Sequence, residues 1–417
     1  MGKRRLILLI AVILAVILIA VGGFIYYINS RPPVGSQVSP SVVTADKNFG
    51  IELFKNLISK DANDSVGTNM VFSPYAVSDL FAIVNEGTTD KTATQIQNVF
   101  HFPIDKTTLR QTYSDLYSLY NQPNSDFKLN VANGMWVQKD FPILDSYKST
   151  IENYYKGNTA NLDFIDATET SRQTINKWVE DQTQGKISNL FPANSIEKST
   201  RVVLADAIYF KGTWQTKFDG PIPNFSFDNG NGAVNVNGMD LTDNLMYADT
   251  KDAQTVRLPY KGNQVSMLII LPKDKLVTAF QNFEQTFSSS TLSDIESSLK
   301  ATEVRLSMPE FGFDNDYQLN PILESMGITD AFDPASARFS LIDGKTDLYL
   351  GYVVHKAFIK VTEDGTEAAA AAGAGMQATS MISSQVTMMA DHPFIYLIQD
   401  NKTGNILFMG KVVDPSK

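Results

Sequence analysis

Apolar side chains recur at helical spacing through the first half of the chain, which predicts a series of amphipathic helices. Within residues 49–59, for example, Ile51, Phe54, Leu57 and Ile58 share one helical face. Ser73 followed by Pro74 is a helix-start signal, because serine caps the first turn and proline fits its first position. Helices are predicted over residues 49–59, 74–85, 107–120, 170–183 and 319–326.

Runs rich in β-branched and aromatic residues predict strands, and they dominate the second half of the chain. The predicted strands are residues 70–72, 128–138, 200–210, 225–227, 255–258, 264–271, 302–308, 350–360 and 394–398. Helices dominate early and strands late, without regular alternation of the two. This order favours an α+β fold over a doubly wound parallel sheet.

Residues 6–27 form an uncharged apolar run of 22 residues behind the basic residues Lys3, Arg4 and Arg5. A helix of this length spans a hydrocarbon core of roughly 30 Å. The run is longer than the apolar region of about 7 to 15 residues in a cleaved signal peptide, and its basic flank favours a cytoplasmic amino terminus. We therefore predict a single-pass signal anchor, with secretion after signal cleavage as the alternative.

The predicted organisation is a basic cytoplasmic tail (residues 1–5), a transmembrane anchor (6–27), a flexible linker (28–45) and one folded extracytoplasmic domain (46–417). The linker is assigned because residues 29–45 are rich in Pro, Ser and Val and show no periodicity.

Residues 363–393 form a low-complexity stretch between two predicted strands. The stretch contains five consecutive alanines and lacks a large apolar side chain until Met376. Such a segment cannot bury enough apolar surface to fold alone. A long exposed loop that is held at both ends by a packed sheet is a common position for function.

Composition narrows the chemistry that the chain can perform. Its 417 residues carry a net charge of −10, which argues against a nucleic-acid or polyanion partner. The absence of cysteine excludes disulfides, thiolate metal sites and a cysteine nucleophile. His101, His355 and His392 are too scattered to predict a metal cluster, and no G-x-S-x-G nucleophile motif occurs. No cofactor is expected.

Seven motifs occur in the order in which the serpin family has them. They are residues 69–74 (N-M-V-F-S-P), 176–179 with 185–187 (N-K-W-V and G-K-I), 209–214 (Y-F-K-G-T-W), 306–311 (L-S-M-P-E-F), 363–369 (E-D-G-T-E-A-A), 391–394 (D-H-P-F) and 408–412 (F-M-G-K-V). From about residue 46 to its end, the chain therefore resembles the serpins. One departure is Glu310, which stands where the family usually has a basic residue.

The resemblance implies a serpin fold of one domain with three β-sheets, eight or nine helices and an exposed reactive-centre loop over residues 363–393. It also implies a suicide-substrate mechanism. A target protease cleaves the loop, and the freed loop inserts into the central sheet as an extra strand, dragging the attached protease with it.

Family spacing places the reactive bond between Thr379 and Ser380. The alternatives are the bonds between Met381 and Ile382 and between Met376 and Gln377. The hinge residues implied by the resemblance are Glu363, Gly365, Thr366, Glu367, Ala368, Ala369, Ala370, Ala371 and Ala372.

Alternate residues of an inserted strand point inward. Counted from Thr366, the inward residues are Thr366, Ala368, Ala370, Ala372 and Ala374, all of them small, whereas Glu367 points outward. This alternation favours an inhibitory member of the family. Without the family context, five alanines would also suit an exposed helical turn.

Ser73, Asp206, Trp214 and His355 match positions at which the family controls the opening of its central sheet. The family usually has Asn at the position of Asp206 and often a second Ser at the position of Ala76. A buried Asp206 beside His355 would form either a charge-assisted bond that is sensitive to pH near neutrality or a plain core hydrogen bond. Trp214 is expected beneath the point at which the loop inserts.

The combined prediction is a membrane-anchored, monomeric inhibitor of serine endopeptidases, with no catalytic activity of its own. Because Ala378 and Thr379 are small, we expect elastase-like or subtilisin-like target proteases. The alternative is a non-inhibitory serpin that acts as a binding or chaperone module.

Overall fold

The computed structural model describes residues 38–60, 67–121, 126–367 and 385–417. The predicted membrane anchor (residues 6–27) lies outside these ranges. Within them, no helix is both long enough and apolar enough to cross a membrane.

The described ranges contain ten α-helices, slightly more than the eight or nine expected. They are α1 Pro40–Lys60, α2 Pro74–Glu86, α3 Asp90–Val99, α4 Lys106–Tyr120, α5 Asp145–Thr150, α6 Thr168–Gln182, α7 Val277–Thr286, α8 Ser289–Ser298, α9 Asn320–Met326 and α10 Ser340–Asp343. A π-helical turn follows α5 over Ile151–Tyr155, and a 3-10 turn spans Asp330–Phe332.

Helix α1 corrects the predicted end of the linker. The linker was expected to reach residue 45, but the helix begins at Pro40. Val42, Val43 and Ala45 are buried and pack into the domain. These few apolar positions lie among polar residues, so the segment shows too little periodicity to be recognised as helical from sequence alone.

Fifteen strands occur in the described ranges. They are β1 Met70–Phe72, β2 Phe127–Gln138, β3 Asn158–Leu162, β4 Val202–Thr213, β5 Asp219–Asp228, β6 Ala233–Asp249, β7 Ala253–Pro259, β8 Val265–Pro272, β9 Lys300–Pro309, β10 Phe311–Gln318, β11 Tyr352–Thr362, β12 Gly365–Thr366, β13 Val386–Met389, β14 Phe394–Asp400 and β15 Ile406–Val412.

These strands form two hydrogen-bonded sheets within the described residues, rather than the three that were expected. One sheet has the order β1-β15-β14-β8-β7-β6-β9-β13, with β5 beside β6, and the other has the order β10-β11-β12-β4-β2-β3. The difference arises at β6, a strand of 17 residues. Because β6 pairs with β5, β9 and β7, it joins two of the expected sheets into one.

Helix α2 lies between the two sheets, where it contacts β15 of one and β2 and β4 of the other. Every residue of this helix is buried. The opposite face of β4 packs on a second apolar cluster that includes Val179 of α6. Burial on both faces explains why residues 202–210 are nearly all apolar.

Candidate functional site

Strands β4 and β11 form a fork in the six-stranded sheet. Over the first half of β11 the two strands pair directly and in parallel, from Tyr352 opposite Val203 to Ala357 opposite Ile208. At the end of β11, the two-residue strand β12 lies between them and pairs antiparallel with both. The fork is therefore closed at one end and holds the start of the 363–393 loop at the other.

Gly365 and Thr366, the two residues of β12, fit this narrow position because both are small. Gly365 has a φ of +145°, which favours glycine, and a Cβ at this position would collide with the carbonyl oxygen of Gly212. Thr366 is buried, and its hydroxyl lies 2.6 Å from the hydroxyl of Tyr260. Thr366 thus faces the core.

Trp214 lies beneath the turn that connects β11 to β12. Its indole N–H donates a hydrogen bond to the carbonyl oxygen of Thr362 at 2.9 Å. Its backbone N–H donates a hydrogen bond to the carbonyl oxygen of Asp364 at 3.1 Å. Its ring stacks on Tyr260, with 4.5 Å between ring centroids. The Asp364 carboxylate also pairs with Lys217 Nζ at 2.6 Å. The turn is therefore held by both its backbone and its side chains.

Glu367 follows β12 and lies on the opposite face of the sheet from Thr366. Its carboxylate lies 3.2 Å from Lys186 Nζ, and its backbone N–H donates to the carbonyl oxygen of Lys360 at 2.8 Å. The rest of the predicted hinge and all three candidate reactive bonds lie outside the described residues: Ala368, Ala369, Ala370, Ala371, Ala372, Met376, Gln377, Thr379, Ser380, Met381 and Ile382.

Ser73, Asp206 and His355 meet at the closed part of the fork. Asp206 and His355 are opposite each other in the strand pair, and the Asp206 carboxylate accepts a hydrogen bond from His355 Nδ1–H at 2.9 Å. His355 Nε2 accepts the backbone N–H of Ser73 at 2.9 Å, which fixes this tautomer. All three residues are fully buried. The structure thus brings together residues that are far apart in sequence.

A row of polar groups crosses the sheet at this level. Burial raises the pKa of Asp206, and the hydrogen bond with His355 opposes that effect. Desolvation, followed by the charge of Asp206, raises the pKa of Asp79 in α2 well above its usual range. Asn133 of β2 lies opposite Asp206 and donates to Asp79 Oδ2 at 2.6 Å. Opening the fork here therefore means rearranging buried polar groups.

Ser73, His355 and Asp206 do not form a nucleophilic triad. The Ser73 hydroxyl accepts the backbone N–H of Ala76 at 3.0 Å as the N-cap of α2. His355 contacts the backbone of Ser73 rather than its hydroxyl, so the base that would activate the serine is not in place. Among the described residues, no three imidazole or carboxylate groups are placed to hold a metal ion.

Three further residues at the hinge were not predicted from sequence. Tyr260 and Lys217 bind residues that are 106 and 147 positions away, so no local pattern reveals them. Glu310 hydrogen-bonds Glu363. This residue carried a signal, since it replaces the basic residue that is usual in its motif.

Comparison with known proteins assigns this chain and its fold to a family. The family model described as Serpin (serine protease inhibitor) matches residues 44–415. An uncharacterized serpin-like protein of Methanosarcina mazei is 37% identical over 90% of this chain and 87% of its own length. The leukocyte elastase inhibitor of Xenopus laevis is 35% identical over 89% of this chain and 99% of its own.

Among solved structures, the thermophilic serpin tengpin in its native state superposes with a TM-score of 0.79 at 29% identity, covering 89% of this chain and 94% of tengpin. The chain therefore forms an α+β domain in which β4 and β11 of the six-stranded sheet hold the start of the 363–393 loop between them. The chain belongs to the serpin family.

Proposed function

We propose that this serpin is inhibitory and traps serine endopeptidases on its 363–393 loop. The fork is the observation that supports this function best. Gly365 and Thr366 already lie between β4 and β11, whereas the two strands remain paired with each other beyond them. Insertion of a cleaved loop would continue the strand that these two residues begin.

The register of β12 indicates which sheet residues the inserted loop would meet. Thr366 lies opposite Val361 of β11 and opposite Gly212 of β4. Continued antiparallel pairing would place Ala372 between His355 and Asp206, so insertion would part their hydrogen bond. The inward side chains would be Thr366 and alternate alanines, which are small enough to avoid overpacking the core.

Trapping requires a covalent intermediate with the protease. The protease serine would attack the carbonyl carbon of Thr379, the peptide bond to Ser380 would break, and the amino group of Ser380 would leave with a proton. The ester that joins Thr379 to the protease survives when the loop inserts before water hydrolyses it. The ratio of the two rates decides whether a protease is trapped or released.

We propose elastase-like or subtilisin-like proteases as targets because Ala378 and Thr379 are small. No Arg or Lys occurs between Glu363 and Asn401, so proteases that cleave after basic residues are disfavoured. The Xenopus relative is named as an inhibitor of leukocyte elastase, which agrees with this choice.

The test is to incubate the protein with elastase or subtilisin and to examine the products by denaturing electrophoresis. An SDS-resistant complex with the protease is expected for the wild type. Thr366→Arg should be cleaved without forming the complex, because its guanidinium would have to be buried beside Tyr260. If the wild type is only cleaved and never trapped, the inhibitory proposal fails and the non-inhibitory binding or chaperone function is favoured.

We also propose that residues 6–27 tether the domain to the outer face of a membrane. The support is the length of this apolar run and its basic flank. Alkaline extraction of membranes from expressing cells should leave the protein in the pellet. Release of the domain into the wash would favour secretion after signal cleavage instead.

A further inference from the structure

Two carboxyl groups meet where the hinge turn leaves the sheet. Glu310 lies between β9 and β10, and Glu363 directly follows β11. Since Phe311 pairs with Val361, Glu310 lies beside the end of β11. Its side chain hydrogen-bonds that of Glu363 and also accepts the side-chain N–H of Asn237 at 3.3 Å. The pair therefore connects the β9–β10 junction to the hinge turn.

The surrounding charges do not neutralise this pair. The positive charge of Lys360 lowers the pKa of Glu310, but by less than burial and the hydrogen bond to Glu363 raise it. The positive charge of Lys217 lowers the pKa of Glu363, but Lys217 Nζ is bonded to the Asp364 carboxylate at 2.6 Å. The negative charge of Asp364 itself raises the pKa of Glu363. The nearby lysines therefore do not offset the repulsion between two ionised glutamates. A proton shared between the two carboxyl groups makes their contact favourable.

The pair loses its shared proton near neutral pH. Burial, followed by the hydrogen bond to Glu363, raises the pKa of Glu310 to about 7. Glu363 accepts that hydrogen bond, which lowers its own pKa. Glu310 also lines a cavity of about 600 Å³ that is open to solvent, so its proton can exchange with water.

We propose that Glu310 and Glu363 form a proton-dependent latch on the hinge. With one proton shared, a hydrogen bond holds the turn against the β9–β10 junction and keeps Gly365 and Thr366 docked between β4 and β11. When the proton leaves, the two carboxylates repel each other and the docking of the hinge is weakened. The latch therefore favours the docked hinge below neutral pH.

The consequence of this latch for inhibition rests on the proposed function. Gly365 and Thr366 begin the strand that a cleaved loop would complete, so their release slows insertion and gives hydrolysis of the acyl-enzyme more time. The pKa of Glu310 is about 7 in the docked state and 4.5 when the contact is absent. The equilibrium constant for docking should therefore fall by at most about tenfold as the pH rises from about 6 to about 8. Fewer proteases are then trapped per inhibitor cleaved at the higher pH.

Trp214 allows the latch to be tested without any protease, because it binds the backbone of Thr362 and Asp364. The uncleaved full chain, labelled with fluorotryptophan in detergent micelles, has three tryptophans to follow by fluorine NMR, and Trp214→Phe assigns the hinge signal. We expect the Trp214 signal of the wild type to titrate with a midpoint near pH 7.

Two glutamine variants make the test specific. Glu310→Gln should abolish the Trp214 titration, and Glu303→Gln, a matched change on β9, should leave it unaltered. The signals of Trp136 and Trp178 show in the same spectra that each variant is folded. A wild-type Trp214 signal that does not titrate, or one that titrates equally in Glu310→Gln, would overturn the latch.

Glu310→Lys tests the consequence for inhibition, because a lysine would pair with Glu363 at every pH in this range. The number of inhibitor molecules consumed per protease trapped should rise with pH in the wild type and stay constant in Glu310→Lys. An equal rise in both proteins would contradict the link to trapping. Failure to form any complex would overturn the proposed function alone, since the NMR titration requires no protease.

Discussion

Gly365 shows how one residue decides whether the hinge can dock. Its φ of +145° and its contact with the backbone of Gly212 leave no room for a side chain. Gly365→Ala should therefore release β12 and lower the free energy of unfolding by more than about 1 kcal/mol, measured by urea denaturation. Gly220→Ala is the matched control, because a Cβ at that position meets no atom within 4 Å. Equal stability of the two variants would contradict the docked hinge.

Asp46 of α1 should make stability depend on pH. It is fully buried, accepts a hydrogen bond from the Tyr113 hydroxyl at 2.8 Å, and burial raises its pKa from 3.8 to about 7. A raised pKa means that the folded state holds the proton more tightly. The contribution of Asp46 is thus complete below its unfolded pKa and is lost as pH rises towards 7, in total about 4 kcal/mol.

Asp46→Asn removes this titration while keeping the acceptor for Tyr113. Urea denaturation of both proteins from about pH 4 to about pH 8 should show the variant gaining stability relative to the wild type as pH rises. A difference in unfolding free energy that stays constant over this range would show that Asp46 is not buried with its proton.

At the scale of elements, strong periodicity was sufficient to predict helices and strands. The helix predicted over residues 107–120 is Lys106–Tyr120, and the strand predicted over 128–138 is Phe127–Gln138. Both have a regular apolar pattern. The elements that the prediction missed include α3, which buries only Thr92, Ile96 and Val99, and β10, whose exposed positions alternate with half-buried ones. These elements are stabilised by neighbours that their own sequence does not reveal.

The site was predictable only as far as the resemblance to the family reaches. The resemblance to the serpins singled out Ser73, Asp206, Trp214 and His355, and the structure places three of them together and Trp214 at the hinge. Their geometry could not be predicted locally, because Asp206 and His355 are 149 positions apart and meet only when β4 pairs with β11. The register of β12, on which the proposed mechanism depends, likewise comes from the structure alone.

The alternation of the inserted strand gives a prediction with a built-in control. Ala370 and Ala371 are adjacent alanines, but the register of β12 assigns Ala370 to the inward face and Ala371 to the outward face. Ala370→Arg should turn the inhibitor into a substrate, because insertion would bury a charge, whereas Ala371→Arg should still trap protease. Electrophoresis of the SDS-resistant complex distinguishes them, and equal trapping by both variants would contradict this register.

At the scale of the whole molecule, the proposed function requires that the intact fold is not the most stable arrangement of the chain. At the open end of the fork, β4 and β11 are connected only through the two residues of β12. A complete additional strand would pair with both of them. That strand adds on the order of ten backbone hydrogen bonds, each contributing about 1 kcal/mol. The energy for moving a trapped protease would come from this difference.

The most direct measurement of this difference is thermal melting before and after the loop is cut by a protease that is then removed. The wild type should melt at least about 10 °C higher after cleavage, since each kcal/mol shifts Tm by about 2 °C in a large domain. Cleaved Thr366→Arg should show little gain, because its loop cannot insert. An unchanged Tm in the cleaved wild type would contradict strand insertion between β4 and β11.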